Sequence, residues 1–191
     1  MVIAINSVSS ASAKAAAKRR EVSRQNALEL NVDPQSYKQG MRRLASGVTI
    51  VTTQFEGQSF GLLSTGVSSV SMNPPVLLVC VNRLASSHDP IAHSGRFCVN
   101  VLRQSDRDLA NRFSSSSHRA SRFIDRQWQA LVTGAPGLVG CLASFDCVVT
   151  RALSAETHTV FFGDVAEVRL WSDTIDPLLY WDGTFHASAP K

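Results

Sequence analysis

A chain of 191 residues that is 44% apolar and 18% charged has enough apolar mass for one sizeable core, which excludes wholesale disorder and predicts one domain with a short extension. Its net charge of +4 is concentrated early: residues 1–43 carry eight bases against three acids, a net +5, leaving residues 44–191 at −1 without the basic face that nucleic-acid binding requires. No segment approaches the roughly 18 consecutive apolar residues of a membrane span, and the Ala- and Ser-rich start lacks the apolar stretch of a secretory signal.

Residues 1–34 combine small side chains with a basic cluster and no long apolar periodicity, which predicts a basic arm, disordered or partly helical, ahead of a domain over residues 35–191. After Asp33-Pro34, the helical spacing of Tyr37, Met41 and Leu44 predicts a short docked helix stopped by Gly47. The texture then becomes β. GVTIVTT, FGLLSTGVSSVS and PVLLVCVN are rich in β-branched residues and read as three strands, with a turn at Asn73-Pro74-Pro75 where proline lacks the ladder donor.

SSHDPIAHSG reads as a short helix begun by Ser86 or Ser87 and closed by Gly95, followed by the strand RFCVNVL. SDRDLANRFS reads as a second helix capped at Ser105, and the run SSSSHRASR as a mobile loop. Two long apolar-alternating runs, LVGCLASFDCVVTRAL and HTVFFGDVAEVRLW, should pair antiparallel, and PLLYWDGTFHAS reads as a short tail. Six or seven strands with two or three short helices predict a mainly β antiparallel barrel with helices at its side.

Cys80, Cys98, Cys141 and Cys147 lie in apolar runs without C-x-x-C or zinc-ligand spacing, which predicts buried free thiols, no metal centre and a reducing cytoplasm. Walker, G-x-G-x-x-G, G-x-S-x-G and H-E-x-x-H motifs are all missing from the sequence, so hydrolytic and loop-type nucleotide chemistry lose support.

Two segments stand out chemically. Ser64, Thr65, Gly66, Ser68, Ser69, Val70 and Ser71 place hydroxyls along one strand, either to line a polar flat ligand or as a solvated edge. Asn82, Arg83, Ser86 and Ser87 combine a strand end, a guanidinium and a helix start, which suits a phosphate or ordinary capping. Among the histidines, His158 opens a strand, His186 lies in the last apolar segment, and His93 and His118 read as solvated.

GVTIVTT, the block GLLSTGVSSVSMNPPVLLVCVNRLASSHDPIAHSGRFCVNVL, LANRFS, HTVFFGDV and PLLYWDGTFH, in this order over residues 36–188, resemble the flavin reductase family, the short-chain reductases that serve two-component flavin monooxygenases. The resemblance implies a six-stranded split β-barrel, usually homodimeric, that binds FMN or FAD and oxidises NADH or NADPH. It implies hydride transfer to the flavin and delivery of reduced flavin to a partner monooxygenase. A non-catalytic flavin carrier or sensor, or an oxidase that retains its flavin, are the alternatives on the same barrel. Carried over by position, residues 64–71 should meet the flavin ring and ribityl chain, and Asn82, Arg83, Ser86 and Ser87 its phosphate. Asn100, Arg112 and Phe113 should approach the flavin, while His158, as the catalytic candidate, and residues 183–186 with His186 should face the nicotinamide. The family more often has other residues where this chain has Leu63, Gly66 and Val67, which shifts weight from hydroxyl contacts to backbone contacts.

Overall fold

In a computed structural model the chain is described over residues 32–188, and it divides after Met41 into two units. The first contains helix α1 (Pro34–Met41), begun by Asp33, whose carboxylate accepts from the Ser36 amide at 2.9 Å and its hydroxyl at 3.0 Å. The helix ends at Met41, well before Gly47, so that Leu44 lies beyond it. The basic arm predicted over residues 1–34 lies, through residue 31, outside the described residues.

The second unit begins with β1 (Ser46–Gly47), β2 (Thr49–Phe55), β3 (Gln58–Ser64), β4 (Val67–Met72) and β5 (Pro75–Asn82). Helix α2 (His88–Ser94), β6 (Arg96–Val101), a 3-10 turn over Gln104–Asp106 and helix α3 (Arg107–Ser114) follow. A 3-10 segment (Ser116–Ser121) leads to β7 (Trp128–Ala130), β8 (Pro136–Leu138), β9 (Ala143–Ala155), β10 (His158–Leu170), β11 (Leu178–Trp181) and β12 (Thr184–Ala187). Seven strands make one antiparallel sheet in the order β3-β2-β6-β9-β10-β5-β4.

That order contains a strong constraint. β3 is one edge of the sheet and β4 the other, yet only Thr65 and Gly66 separate them in sequence. Three peptide steps reach at most about 11 Å, so the sheet has to curl until its edges nearly meet. Consistently, β3 comes against β5, and the Gly66 carbonyl accepts from the Cys80 amide at 2.8 Å. The two edges do not pair with each other, which leaves the curled sheet split along this seam. The segment FGLLSTGVSSVS is two strands broken at the crossover, which brings the main sheet of this split barrel to seven strands. A side chain at Gly66 would put its Cβ 3.1 Å from the Cβ of Cys80, so one would fit there only with a shift of a few tenths of an ångström.

The core has two parts because both faces of β2 are covered. Val51 points inward with Val79, Val81, Phe97, Val99 and Phe161, while Val48 and Ile50 pack outward with Leu109 and Phe113 of α3 and Leu178 of β11. Gly163 of β10 admits the Phe97 ring, since a Cβ there would come within 2.6 Å of it, and the β9–β10 register shifts at this point. The segment read as a tail is a hairpin, β11–β12, which with β1 makes a three-stranded sheet. Three backbone bonds of 3.0 Å fasten it: Val48 donates to Leu178, Leu178 to Leu102, and Leu102 back to Val48.

The thiols are all free, as the sequence predicts, but they are not alike. Burial pushes the Cys141 thiol up to about 11 and the Cys147 thiol up to about 12, and pushes Cys98 up as well, whereas Cys80 is half-buried beside the crossover. Brief treatment of the native protein with a thiol reagent, followed by peptide mapping, should label Cys80 well ahead of the other three. Equal labelling of all four before unfolding would contradict this packing.

Candidate functional site

One cleft has a volume of about 480 Å3, inside the roughly 300–1,000 Å3 range of small-molecule sites. Three elements build it. The end of β3 and the crossover supply Leu63, Ser64 and Thr65; α3 presents Arg107, Asn111 and Ser114 on its outer face; and the β11–β12 hairpin supplies Tyr180, Gly183, Thr184 and Phe185. Helix α3 shows that face because Leu109, Ala110 and Phe113 bury the opposite one.

Polar groups converge in this cleft on an apolar floor. The Ser64 hydroxyl accepts from the Gly66 amide at 3.1 Å, which leaves its own proton available to a ligand. Arg107 donates to the Phe185 carbonyl at 3.2 Å and so ties the hairpin to α3. Tyr180 and Phe185 meet edge-on at 5.4 Å, and behind them His186 stacks on Trp181 at 3.6 Å, with its Nε2 buried and unpartnered.

The sequence-predicted residues separate into groups. Ser64 and Thr65 share the cleft with residues 183–185. Asn82 and His158 stand opposite each other in the β5–β10 ladder, and the Arg83 amide donates to the Thr157 carbonyl at 3.0 Å, so Asn82, Arg83 and His158 form a second cluster at the strand ends. The His158 Nδ1 lies 2.9 Å from the Thr157 hydroxyl. Ser86 lines a smaller pocket with Arg119 and Arg122. Ser87 is fully buried and its hydroxyl lacks a partner.

Others lie elsewhere. Ser68, Ser69 and Ser71 line an apolar trough with Met72, Val99 and Phe145, and Val70 is exposed. Arg112 pairs with Asp125 at 3.2 Å and donates to the Ser121 carbonyl, and Phe113 is a core residue packed on Phe123 and Trp128. Asn100 corrects the sequence reading most clearly. It is 0% exposed; its amide nitrogen donates to the Ile50 carbonyl at 3.1 Å, and its oxygen accepts from the Leu138 amide at 2.7 Å and the Ser144 hydroxyl at 2.8 Å. It pins the β8 segment to β6 and β9 and has no free group for a ligand. His88 is likewise engaged, by Asp89 and Thr159, each at 2.8 Å.

Sequence reasoning missed Arg107, Asn111, Ser114 and Tyr180, which become neighbours only through the fold. It also read Arg119 and Arg122 as part of a mobile run, although Arg122 is buried. The signal available was Arg122-Phe123, a cation joined to an apolar residue at the end of a serine-rich stretch. The arrangement fits the flavin that the resemblance implies: a cleft with an apolar floor and hydroxyl rim, a close backbone crossing at Gly66, and buried unpartnered atoms on His186 and Arg122. No cluster of metal-ligating side chains occurs among the described residues.

Comparison with known proteins agrees with this geometry. Residues 41–189, nearly the whole second unit, match the flavin reductase like domain. The chain is 40% identical over 152 residues to the FMN reductase (NADH) RutF of Stutzerimonas stutzeri, covering 80% of this chain and 87% of that one, and 39% identical to RutF of Pantoea ananatis, covering 83% of each. Among solved structures it resembles BorF, the flavin reductase component of a bacterial two-component tryptophan halogenase (TM-score 0.76, 30% identity, 83% of this chain and 100% of that one). The Streptomyces globisporus NADH:FAD oxidoreductase SgcE6 is also similar (TM-score 0.75, 28% identity, 86% and 94%).

If Asn100 is structural, Asn100→Ala should lower unfolding free energy by about 1–3 kcal/mol by stranding buried donors and acceptors, while the folded fraction binds ligand with unchanged affinity. Thermal melts and ligand titration measure the two separately; weaker binding at undiminished stability would return Asn100 to the site.

Proposed function

The chain belongs to the flavin reductase like domain family, and from that premise we propose that it is an NADH-dependent FMN reductase that hands reduced flavin to a separate monooxygenase component. The observation that carries the reading is the cleft in which Ser64 and Thr65 of the crossover face residues 183–185 of the terminal hairpin. The relatives named FMN reductase (NADH) support this choice of flavin and nicotinamide over FAD and NADPH.

Flavin, when bound, would supply the acceptor for a nicotinamide hydride, so the protein's work is to position both rings and keep water out. Leu63, Tyr180 and Phe185 supply the apolar surface, and the free proton of Ser64 and the hydroxyl of Thr65 supply donors for an electron-rich ring edge. Arg107 is the charged side chain of the cleft, and it is held by the Phe185 carbonyl. The chemistry asks for no strong acid or base, in keeping with a cleft that has no carboxylate. Ser86 serves the phosphate side, with Asn82 and Arg83 at the neighbouring strand ends, and His158 and His186 serve the nicotinamide side. Residues 68–71 extend the ring-binding strand in this reading.

The second unit acts as a homodimer in this proposal. Val148, Leu153, Val168 and Leu170 on the β9–β10 hairpin are 47–77% exposed, and the trough beside them is lined by Met72, Val76 and Val165, an apolar surface suited to a second copy. Free thiols fit a cytoplasmic setting.

Mixing the protein with NADH or NADPH and with FMN, FAD or riboflavin, while following nicotinamide oxidation, tests the activity. Turnover fastest with NADH and FMN is expected, and binding of flavin without turnover would leave the carrier reading. In the same assay His158→Ala should raise the KM for NADH or lower kcat while flavin affinity stays unchanged; loss of both together would make His158 structural. Sedimentation should show a dimer, and a stable monomer that still turns over would refute that part.

A further inference from the structure

A pocket of about 190 Å3 opens on the other half of β3, where Phe60 and Gln58 face Ser86, Arg119, Arg122 and Phe123. Arg122 is 7% exposed, yet its partners are carbonyls: Gly61 at 2.7 Å, Phe113 at 3.3 Å and Ser115 at 2.8 Å. Carbonyls orient a guanidinium without neutralising it, and the Arg122 Nε is buried with no partner at all.

The charge in this pocket is uncompensated. Arg103, Arg112, Arg126 and Arg169 each pair with a carboxylate, whereas among the described residues none pairs with Arg119 or Arg122. The two cations also feel each other: burial first, and the Arg119 charge second, hold the Arg122 guanidinium below its ordinary value. Two uncompensated guanidinium groups beside a hydroxyl and an amide are the donor set of a phosphate site.

Position indicates which phosphate. From Phe60 at this pocket to Ser64 at the cleft is four residues of one strand, about 13 Å at roughly 3.3 Å per residue. A flavin ring at Ser64 and Thr65 with its polyol tail along β3 brings its terminal phosphate to the arginines. We propose that Arg119 and Arg122, with Ser86, hold the phosphate monoester of the flavin, so that this pair rather than the exposed Arg83 selects a phosphorylated flavin over riboflavin. The assignment rests on the flavin reductase reading and adds to it the residues that set its substrate preference.

Arg119→Gln is the decisive variant, because that side chain is exposed and no bond of the fold depends on it among the described residues. Dissociation constants for FMN and riboflavin, from quenching of flavin fluorescence, should show FMN weakened about ten-fold or more, the loss of one charge-assisted hydrogen bond, with riboflavin nearly unchanged. Arg122→Lys, which keeps the charge, should retain part of the preference. Inorganic phosphate should compete with FMN but not riboflavin in the wild type, and less in Arg119→Gln. Equal weakening of both flavins, no change in either, no preference for FMN in the wild type, or loss of the preference in Arg83→Ala alone would each overturn the assignment. An intact preference switch in a protein that never oxidises NADH would sink the reductase reading and leave the phosphate pocket; normal turnover with an unchanged preference would do the reverse.

Discussion

The two-residue crossover at Thr65-Gly66 governs this fold. A flat sheet of seven strands could not have its first and last members joined by so short a link, so the link compels the curl. Once the sheet is curled, the inner faces of β2, β5, β6, β9 and β10 meet around Phe97 and Phe161. The crossover then becomes a wall of the cleft, because it is the place where the sheet turns its edge toward α3 and the terminal hairpin. Shape and site are thus consequences of one connection, held by the Gly66 carbonyl on the Cys80 amide.

Around that frame, buried polar groups act as rivets for the irregular parts of the chain. Asn100 gathers β8, β2 and β9 through one amide, and Asp146 accepts from the Thr133 amide at 2.7 Å and its hydroxyl at 2.6 Å to fix the loop before β8. Burial raises the Asp146 carboxyl above its usual value in spite of those bonds. Arg126 does the same for the segment before β7 by reaching the buried Asp106 at 2.8 Å. These bonds leave the cleft residues on supports that are themselves fixed, which positional catalysis requires.

Much of the β architecture was legible. GVTIVTT, PVLLVCVN and RFCVNVL fold as strands because β-branched residues run between turn-forming ends, and SSHDPIAHSG forms its helix up to Gly95. The break at Thr65-Gly66 was not, since nothing local distinguishes a strand that continues from one that crosses to the opposite edge. Asn100 misled for a related reason: a polar residue in an apolar strand suits a ligand contact or a buried network equally, and only the neighbours brought by β8 decide. Arg122 was hidden by its company, because a Ser- and Arg-rich run has the composition of a solvated loop even when one guanidinium reaches under a strand. Of the residues that line the cleft, Ser64, Thr65 and residues 183–185 stand out in the sequence, whereas Tyr180 and the helical face do not.

The split seam also bears on how the protein behaves among copies of itself. A strand with one unpaired side is a template on which another chain can add, and a long open sheet offers two such templates far apart. Here the two edges converge at the Thr65-Gly66 link, with β3 beneath the shelter of α3 and β4 followed by Asn73-Pro74, whose proline has no amide hydrogen to offer an incoming strand. A newcomer would have to wedge into a gap already spanned by the Thr65-Gly66 link. The same short link that shapes the cleft therefore guards the sheet against runaway strand addition.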